Sequence, residues 1–266
     1  MAANLPVKAP VYKAMPAAAA YDWTGFYIGL DGGYSWGNSA TDYITGVPPF
    51  STSQSMDGWV FGGQAGYNWQ INQSWLLGLE ADLQATGQDG TASLPTSVGA
   101  TTCVINTTLA PPCTTTTSAG SFEQKLPWLG TARLRLGVLP GDHWLLYGTG
   151  GLAVGEIETN ATISTTTTIT AGSATGPVIG TPTTAAAAVS SNTTKTGWTV
   201  GGGVEWVLSG QWTAKLEYLY VDLGTVTNTF TGLGSFASLA TNSHVTDNIL
   251  RVGVNYRFGG PVVATY

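Results

Sequence analysis

Alternating apolar and polar residues mark the stretch 248–258 as a β-strand. Its apolar face carries Leu250, Val252, Val254, Tyr256 and Phe258, and its polar face carries Arg251, Gly253, Asn255 and Arg257. A period of two is the spacing of a strand with two different faces. The apolar face would point either into the core of a soluble sheet or outwards into lipid. Recurrence of the same division along the chain distinguishes these cases.

Seven further segments repeat the alternation, and together they predict eight strands. The segments lie near residues 26–36, 59–70, 75–86, 125–136, 144–155, 198–206, 212–221 and 248–258. In the segment 144–155 two apolar faces compete, and we assign Leu146, Leu152 and Val154 to the outer face rather than Leu145 and its neighbours.

The connections alternate in length, as they do in membrane barrels. Long polar segments end near Asp57, Ser121, Thr196 and Thr246, and turns of about four residues lie between them. The third of these long segments, 156–196, is rich in threonine. The pattern predicts an all-β fold, an eight-stranded antiparallel up-and-down transmembrane β-barrel with four long extracellular loops.

Charged residues of the strands fall on the polar faces. We predict that they form a charge network in the lumen: Asp31, Glu80, Asp82, Lys125, Arg133, Arg135, Glu205, Lys215, Glu217, Arg251 and Arg257. A soluble lipocalin-like barrel would also have eight alternating strands, but its interior would be apolar and its exterior polar. Nine of the ten tryptophans lie near strand ends, where a membrane barrel has its aromatic girdles.

The lumen charges have two interpretations. They either pair across a narrow interior and plug it, or line a water path for ions or small solutes. Eight strands leave an interior just wide enough for side chains, which favours the plugged barrel and keeps a narrow porin-like channel as the alternative.

Composition narrows the function classes. Only 9% of residues are charged and the net charge is −6, which argues against nucleic acid as a partner. There is no run of eighteen or more apolar residues, as a transmembrane helix would need. Cys103 and Cys113 flank two prolines and predict a local loop disulfide, and without a second cysteine pair we expect no metal site and no cofactor.

Candidate catalytic residues are few, and we expect no enzyme. The two histidines, His143 and His244, fall on opposite sides of the predicted membrane. His244 is next to Ser243 and near Asp247, but neighbouring residues in a loop do not fix the geometry of a catalytic triad.

Three segments divide the chain. Residues 1–21 are rich in alanine and proline and predict a flexible periplasmic leader, whose start resembles a mature exported chain with an added methionine. Residues 22–258 would form the barrel. Residues 259–266 would form a periplasmic tail, because Gly259-Gly260-Pro261 ends the last strand.

Four segments resemble the small outer-membrane immunogenic (porin-like, OmpA-related) protein family of Gram-negative α-proteobacteria. They are DWTGFYIG at 22–29, GGQAGYNWQ at 62–70, LEYLYVDLG at 216–224 and RVGVNYRF at 251–258. The chain departs from the family by continuing past Phe258, and its cysteine-containing and threonine-rich segments are not family features.

The resemblance implies a multi-pass protein of the outer membrane that supports envelope integrity and surface contact and has no catalytic residues. Its expected partners are outer-membrane lipid, lipopolysaccharide and the outer-membrane insertion machinery, and we expect a monomer. Tyr256 and Phe258 would form the terminal aromatic signal that this machinery reads.

Overall fold

Nine β-strands account for the part of the chain that the structure, a computed structural model, describes: residues 21–43, 50–104, 111–233 and 236–259. The predicted leader, apart from Tyr21, and the predicted tail, apart from Gly259, lie outside these residues. The strands are β1 (Gly25–Tyr43), β2 (Phe50–Gln70), β3 (Trp75–Val98), β4 (Thr102–Cys103), β5 (Pro112–Val138), β6 (Trp144–Ala171), β7 (Thr183–Ser209), β8 (Trp212–Leu233) and β9 (Phe236–Phe258).

Eight of these strands form a closed antiparallel ring, which confirms the predicted fold class. Sequence neighbours pair with each other, and β9 pairs with β1 from Phe26 opposite Phe258 upwards. The two-residue strand β4 pairs only with β5, while β3 and β5 also pair directly and complete the ring. Closure leaves no open edge within the ring, as lipid requires.

The strands are steeply tilted. We start at Tyr27 on β1 and step from each residue to its partner on the next strand. After one turn around the ring the path returns to β1 at Gly37, which is a shift of ten residues. With a rise of ~3.3 Å per residue and a strand spacing of ~4.8 Å, this shift tilts eight strands by about 40°. The backbone then lies about 8 Å from the axis, within reach of inward-pointing long side chains.

The outer face of the ring is an apolar band between two aromatic levels. Trp69, Trp75 and Trp144 are exposed near the short turns, and Trp59 and Trp198 are exposed at the opposite level. Trp59 and Trp69 are ten residues apart on β2, which corresponds to about 25 Å along the barrel axis and matches the apolar band of membrane barrels.

The competing faces of β6 are resolved as predicted. Leu146 and Leu152 point outwards and are 45% and 70% exposed, whereas Leu145 and Ala153 are buried inside the barrel.

The predicted long loops are wrong in extent, because most of their residues continue the strands. β6 and β7 pair from Glu156 opposite Thr194 to Thr167 opposite Thr183, inside the segment expected to be a threonine-rich loop. Threonine is β-branched and favours strands, so polarity alone misled the assignment.

Beyond the ring the wall divides into two four-stranded sheets. Among the described residues, the β7–β8 pairing ends at Trp198 opposite Asp222, and the β2–β3 pairing ends at Asp57 opposite Asp89. The sheets face each other, and Phe122 contacts Phe230 between them with ring centroids 6.4 Å apart. The described residues include no helix of the length and apolarity that a membrane span requires.

Candidate functional site

Inward-pointing side chains fill the lumen nearest the short turns with charges. We call this set the charged layer: Asp31, Glu80, Asp82, Arg133, Arg135, Glu205, Lys215, Glu217 and Arg251. All nine lie at inward positions of the period-two pattern, which is why alternation alone located them.

Arg133 is the centre of the charged layer. Its Nη2 lies 2.6 Å from Glu80 Oε1 and 2.7 Å from Asp82 Oδ2, and its Nη1 lies 3.1 Å from Glu217 Oε1. Glu80 is the cross-strand partner of Arg133 between β3 and β5, so the strand register itself brings this pair together.

Arg251 connects the same carboxylates to β1. Its Nη2 is 2.6 Å from Glu217 Oε2 and 3.2 Å from Asp82 Oδ2, and its Nη1 is 3.4 Å from Asp31 Oδ1. Lys215 lies 3.4 Å from Glu80 and 3.3 Å from Glu217, and it donates a further hydrogen bond to Gln64.

Arg135 lies between two tyrosine rings. Its guanidinium carbon is 3.9 Å from the ring centroid of Tyr147 and 5.7 Å from that of Tyr27, and its Nη2 is 2.7 Å from Glu205 Oε2. Tyr27 pairs across the sheet with Gly66, where a side chain would collide with the tyrosine ring. The site residues Tyr27 and Tyr147 were missed, although both had inward positions in the pattern.

The charged layer is closed to water. The side chains of Glu80, Asp82, Arg133, Arg135 and Arg251 have no exposed surface. Every carboxylate of the layer has at least one cationic partner within 3.4 Å, as buried charges require.

A second set, the upper apolar layer, fills the lumen beyond the charged layer. It consists of Met56, Val60, Leu126, Leu129, Ala153, Ile157, Leu219, Val221, Leu223, Val226, Val245 and Ile249. Its place follows from the strand order: Leu129 precedes Arg133 on the descending strand β5, and Leu219 follows Glu217 on the ascending strand β8. This layer was not predicted, since several of its residues fall in segments taken as loops.

Comparison with known proteins places this geometry in a family. The model of the outer membrane protein β-barrel domain matches residues 12–258. The chain belongs to the outer membrane protein β-barrel family. It is 32% identical to the 31 kDa outer-membrane immunogenic protein of Brucella melitensis, over 97% of this chain and 93% of that protein.

Two other similarities are more distant. The 22 kDa outer membrane protein of Rhizobium leguminosarum is 29% identical over 78% of this chain and 67% of that protein. The crystal structure of OprG from Pseudomonas aeruginosa is 12% identical with a TM-score of 0.42, covering 90% of this chain and 99% of that chain. The predicted family and the outer-membrane location are confirmed.

With this location, the short turns of the barrel face the periplasm. A third set, the periplasmic cap, closes that end and comprises Trp23, Leu76, Leu145 and Tyr147, with Tyr21 packed against it. Trp23 is 1% exposed and precedes β1, so residues that were expected to start the barrel also cover its mouth.

Two predicted network residues lie elsewhere. Lys125 points outwards because the register shifts between Lys125 and Trp128 and turns Leu126 inwards; this corrects its assignment to the lumen. Its side chain is 42% exposed and lies 3.1 Å from Glu123, whose carboxyl pKa is lowered first by the hydrogen bond from Lys125 and next by that from Asn160.

Arg257 is buried but lies below the charged layer. Its guanidinium stacks on Tyr21 at 4.6 Å and donates to the Tyr21 hydroxyl and to the carbonyl oxygen of Thr24. It therefore contacts the periplasmic cap through Tyr21, which corrects its assignment to the charge network.

The remaining candidate residues lie as follows. Cys103 and Cys113 form a disulfide between β4 and β5 in the extracellular region. Tyr256 and Phe258 lie on the outer face at the periplasmic level, with ring centroids 5.0 Å apart.

The residues considered for hydrolysis are not brought together. Ser243 and Asp247 are buried inside the barrel, whereas His244 points outwards and lies 3.6 Å from Asp222. No group of three or more histidine, cysteine or acidic side chains is placed to hold a metal ion in the described parts of the chain.

Proposed function

We propose that this outer-membrane protein is a structural barrel whose lumen is permanently plugged, and which supports envelope integrity and surface contact. The observation that carries this proposal is the complete burial of the charged layer. A water path through the barrel would expose the side chains that line it.

The arrangement of charges also argues against ion passage. A selective pore needs unpaired groups that exchange their water for an ion and release it again. Here the guanidinium of Arg133 is held by three carboxylates, and the aliphatic side chains of the upper apolar layer cannot replace the water of an ion.

The ion pairs define the shape of the barrel more than they stabilise it. Buried ion pairs recover little net free energy after desolvation, but breaking one leaves a costly unpaired charge. A strand shifted by one residue would point its charges into lipid, so the pairs favour the native register.

Single-channel recording in a planar bilayer tests the plugged lumen. We expect the folded wild-type protein to give no steady conductance in KCl. A general porin, recorded separately under the same conditions, is the positive control for insertion of a barrel into the bilayer. A reproducible conductance that rises with KCl concentration would contradict the plug and support the narrow channel.

We also propose that the insertion machinery recognises Phe258 as the end of the barrel. Phe258 is 47% exposed on the lipid face and contacts Phe26 across the closing strand pair, with ring centroids 5.7 Å apart. This exposure supports a role in recognition, because burial in the core would hide the ring from a partner.

Three variants separate recognition from stability. Phe258→Ala should reduce the amount of heat-modifiable barrel in the outer membrane, whereas deletion of residues 259–266 should not. Phe26→Ala removes the same ring contact but leaves the chain end intact, so it should insert normally. If Phe26→Ala and Phe258→Ala reduced the amount of inserted barrel equally, the ring contact between Phe26 and Phe258 would explain the loss, and recognition of Phe258 would be contradicted.

We further propose that the barrel acts as a monomer in contact with lipopolysaccharide. Support comes from the closed ring, which leaves no strand edge in the membrane for a second copy. Native mass spectrometry of the detergent-extracted barrel should show one chain, and a stable dimer would contradict this.

A further inference from the structure

The buried charges of the barrel interior do not balance among the described residues. Six carboxyl groups are buried: Asp31, Glu80, Asp82, Glu205, Glu217 and Asp247. Five basic groups are buried: Arg133, Arg135, Lys215, Arg251 and Arg257. An uncompensated buried charge is costly, and such a group often becomes neutral instead.

Asp247 is the carboxyl group without a basic partner in this set. It is 2% exposed and lies on β9 between Val245 and Ile249, which both belong to the upper apolar layer. Its hydrogen-bond partners are all neutral: the Ser35 hydroxyl, the Gln88 side-chain amide, whose Nε2 lies 2.7 Å from Oδ2, and the backbone amide of Asn248.

Charged groups on the neighbouring strands are directed elsewhere. On β1, Asp31 lies four residues below Ser35, and on β9, Arg251 lies four residues from Asp247, about 13 Å at the rise of a strand. On β8, Asp222 contacts His244 on the outer face.

Three more charged residues lie on β2, β3 and β7. On β2, Asp57 is exposed and accepts a hydrogen bond from the Tyr34 hydroxyl, and on β3, Asp89 points outwards. On β7, Lys195 is half-buried on the inward side, and it forms no ion pair with Asp247 within the described residues.

We propose that Asp247 is a proton-binding site, and that its neutral carboxylic acid form keeps the upper apolar layer sealed at neutral pH. The Ser35 hydroxyl can accept a hydrogen bond from the acid as well as donate one, and the Gln88 amide still donates to the other oxygen. The Ser35 oxygen has two lone pairs, so it can accept from the acid and from Gln88 Nε2 together. The protonated form therefore keeps the contacts of both carboxyl oxygens with Ser35 and Gln88.

Loss of this proton would change the layer. A carboxylate would then lie among valine, leucine and isoleucine side chains with no cation beside it, so water would have to enter to solvate it. Alkaline pH should thus loosen the extracellular half of the plug before it affects the ion pairs below.

Infrared spectroscopy of the folded barrel detects the proton directly. At neutral pH the wild-type protein should show the C=O absorption of a protonated carboxylic acid, because exposed and ion-paired carboxyls are ionised. Asp247→Asn should lose this band and Asp82→Asn should keep it. Absence of the band in the wild type, or its persistence in Asp247→Asn, would overturn the proposal.

The pH dependence of unfolding provides an independent measurement. In the unfolded chain an aspartate loses its proton near pH 4. If the folded protein keeps this proton, unfolding releases it, and the unfolding equilibrium constant rises about ten-fold for each pH unit above that value. The unfolding constant of the wild type relative to Asp247→Asn should therefore rise about ten-fold per unit between roughly pH 5 and 7.

Matched variants exclude the other explanation. Lys195→Met should leave the pH dependence of the unfolding constant unchanged. If Asp247 were instead ionised and paired with Lys195, the Lys195→Met protein would be less stable than the wild type. If Asp247→Asn does not fold, the wild-type band alone remains informative, since it must disappear at alkaline pH in a barrel that is still folded. Parallel pH profiles of wild type and Asp247→Asn would disprove the site.

Discussion

The periplasmic half of the lumen is filled mainly by ion pairs, whereas the extracellular half is filled mainly by aliphatic side chains. Both halves use inward positions of the same strands, as Glu217 and Leu219 show on β8. In the charged layer each group depends on partners from other strands, while in the upper apolar layer contacts are non-directional. The charged layer therefore fixes the strand register, and the apolar layer contributes burial free energy.

The largest expected effect comes from removing the central cation of the charged layer. Arg133→Ala leaves Glu80, Asp82 and Glu217 short of a partner, which should cost about 3–5 kcal/mol of unfolding free energy. Urea unfolding in lipid vesicles, followed by tryptophan fluorescence, measures this loss.

The outward ion pair of Lys125 and Glu123 is the matched control. Glu123→Gln should change stability by about 1 kcal/mol or less, because exposed pairs gain little in water. Similar losses in Arg133→Ala and Glu123→Gln would mean that the charged layer is solvated.

Truncation in the upper apolar layer should have a smaller but clear effect. Leu129 is 1% exposed, and Leu129→Ala should cost about 2–4 kcal/mol through lost burial and a residual cavity. The loss should be the same at low and high salt. A strong salt dependence of the free energy lost would show that electrostatic interactions also stabilise the upper apolar layer, and would contradict the difference between the two layers.

The periplasmic cap should matter less. Trp23→Ala should cost about 1–3 kcal/mol, since Trp23 precedes the first strand and the ring can remain closed without it. Hydrogen exchange should quicken at Gln70, whose backbone N–H donates to the Oγ1 of Thr24, the residue after Trp23. Unchanged exchange there would indicate that the cap does not protect the mouth.

The smallest effect is expected from reduction of the Cys103–Cys113 disulfide. It closes a loop of ten residues and should order only the extracellular end of β5, by about 2–3 kcal/mol locally. The midpoint of barrel unfolding in detergent should not move when a reductant is added. A lowered midpoint would show that the hairpin and the ring unfold together.

Alternation predicted the ring and most of the charged layer because a period of two survives wherever a strand is regular. It failed at Lys125, where an irregular register at Lys125/Trp128 reverses the faces and leaves no mark in the hydrophobic pattern. The bulge could be suspected only from Pro127, which cannot donate to a ladder.

The upper apolar layer and Asp247 were missed for a different reason. Part of the layer, such as Ile157, Val226 and Val245, falls in segments taken as loops, where outer residues such as Thr162 no longer contrast with inner residues such as Ala161. Which face is inside there depends on the strand register from below, which is a property of the ring and not of the local sequence.

The length of β6 sets how far the protein reaches from the cell. The strand continues for nineteen residues beyond Leu152, which is opposite the girdle residue Trp198, and ends at Ala171. At ~3.3 Å per residue and a tilt of about 40°, these residues rise about 48 Å beyond the girdle. A sheet of that height extends past the lipid headgroups, and the upper part of β6, from Thr162 to Ala171, carries no charged residue. Any molecule that approaches this end of the barrel along β6 would thus meet threonine side chains before it reached the apolar band.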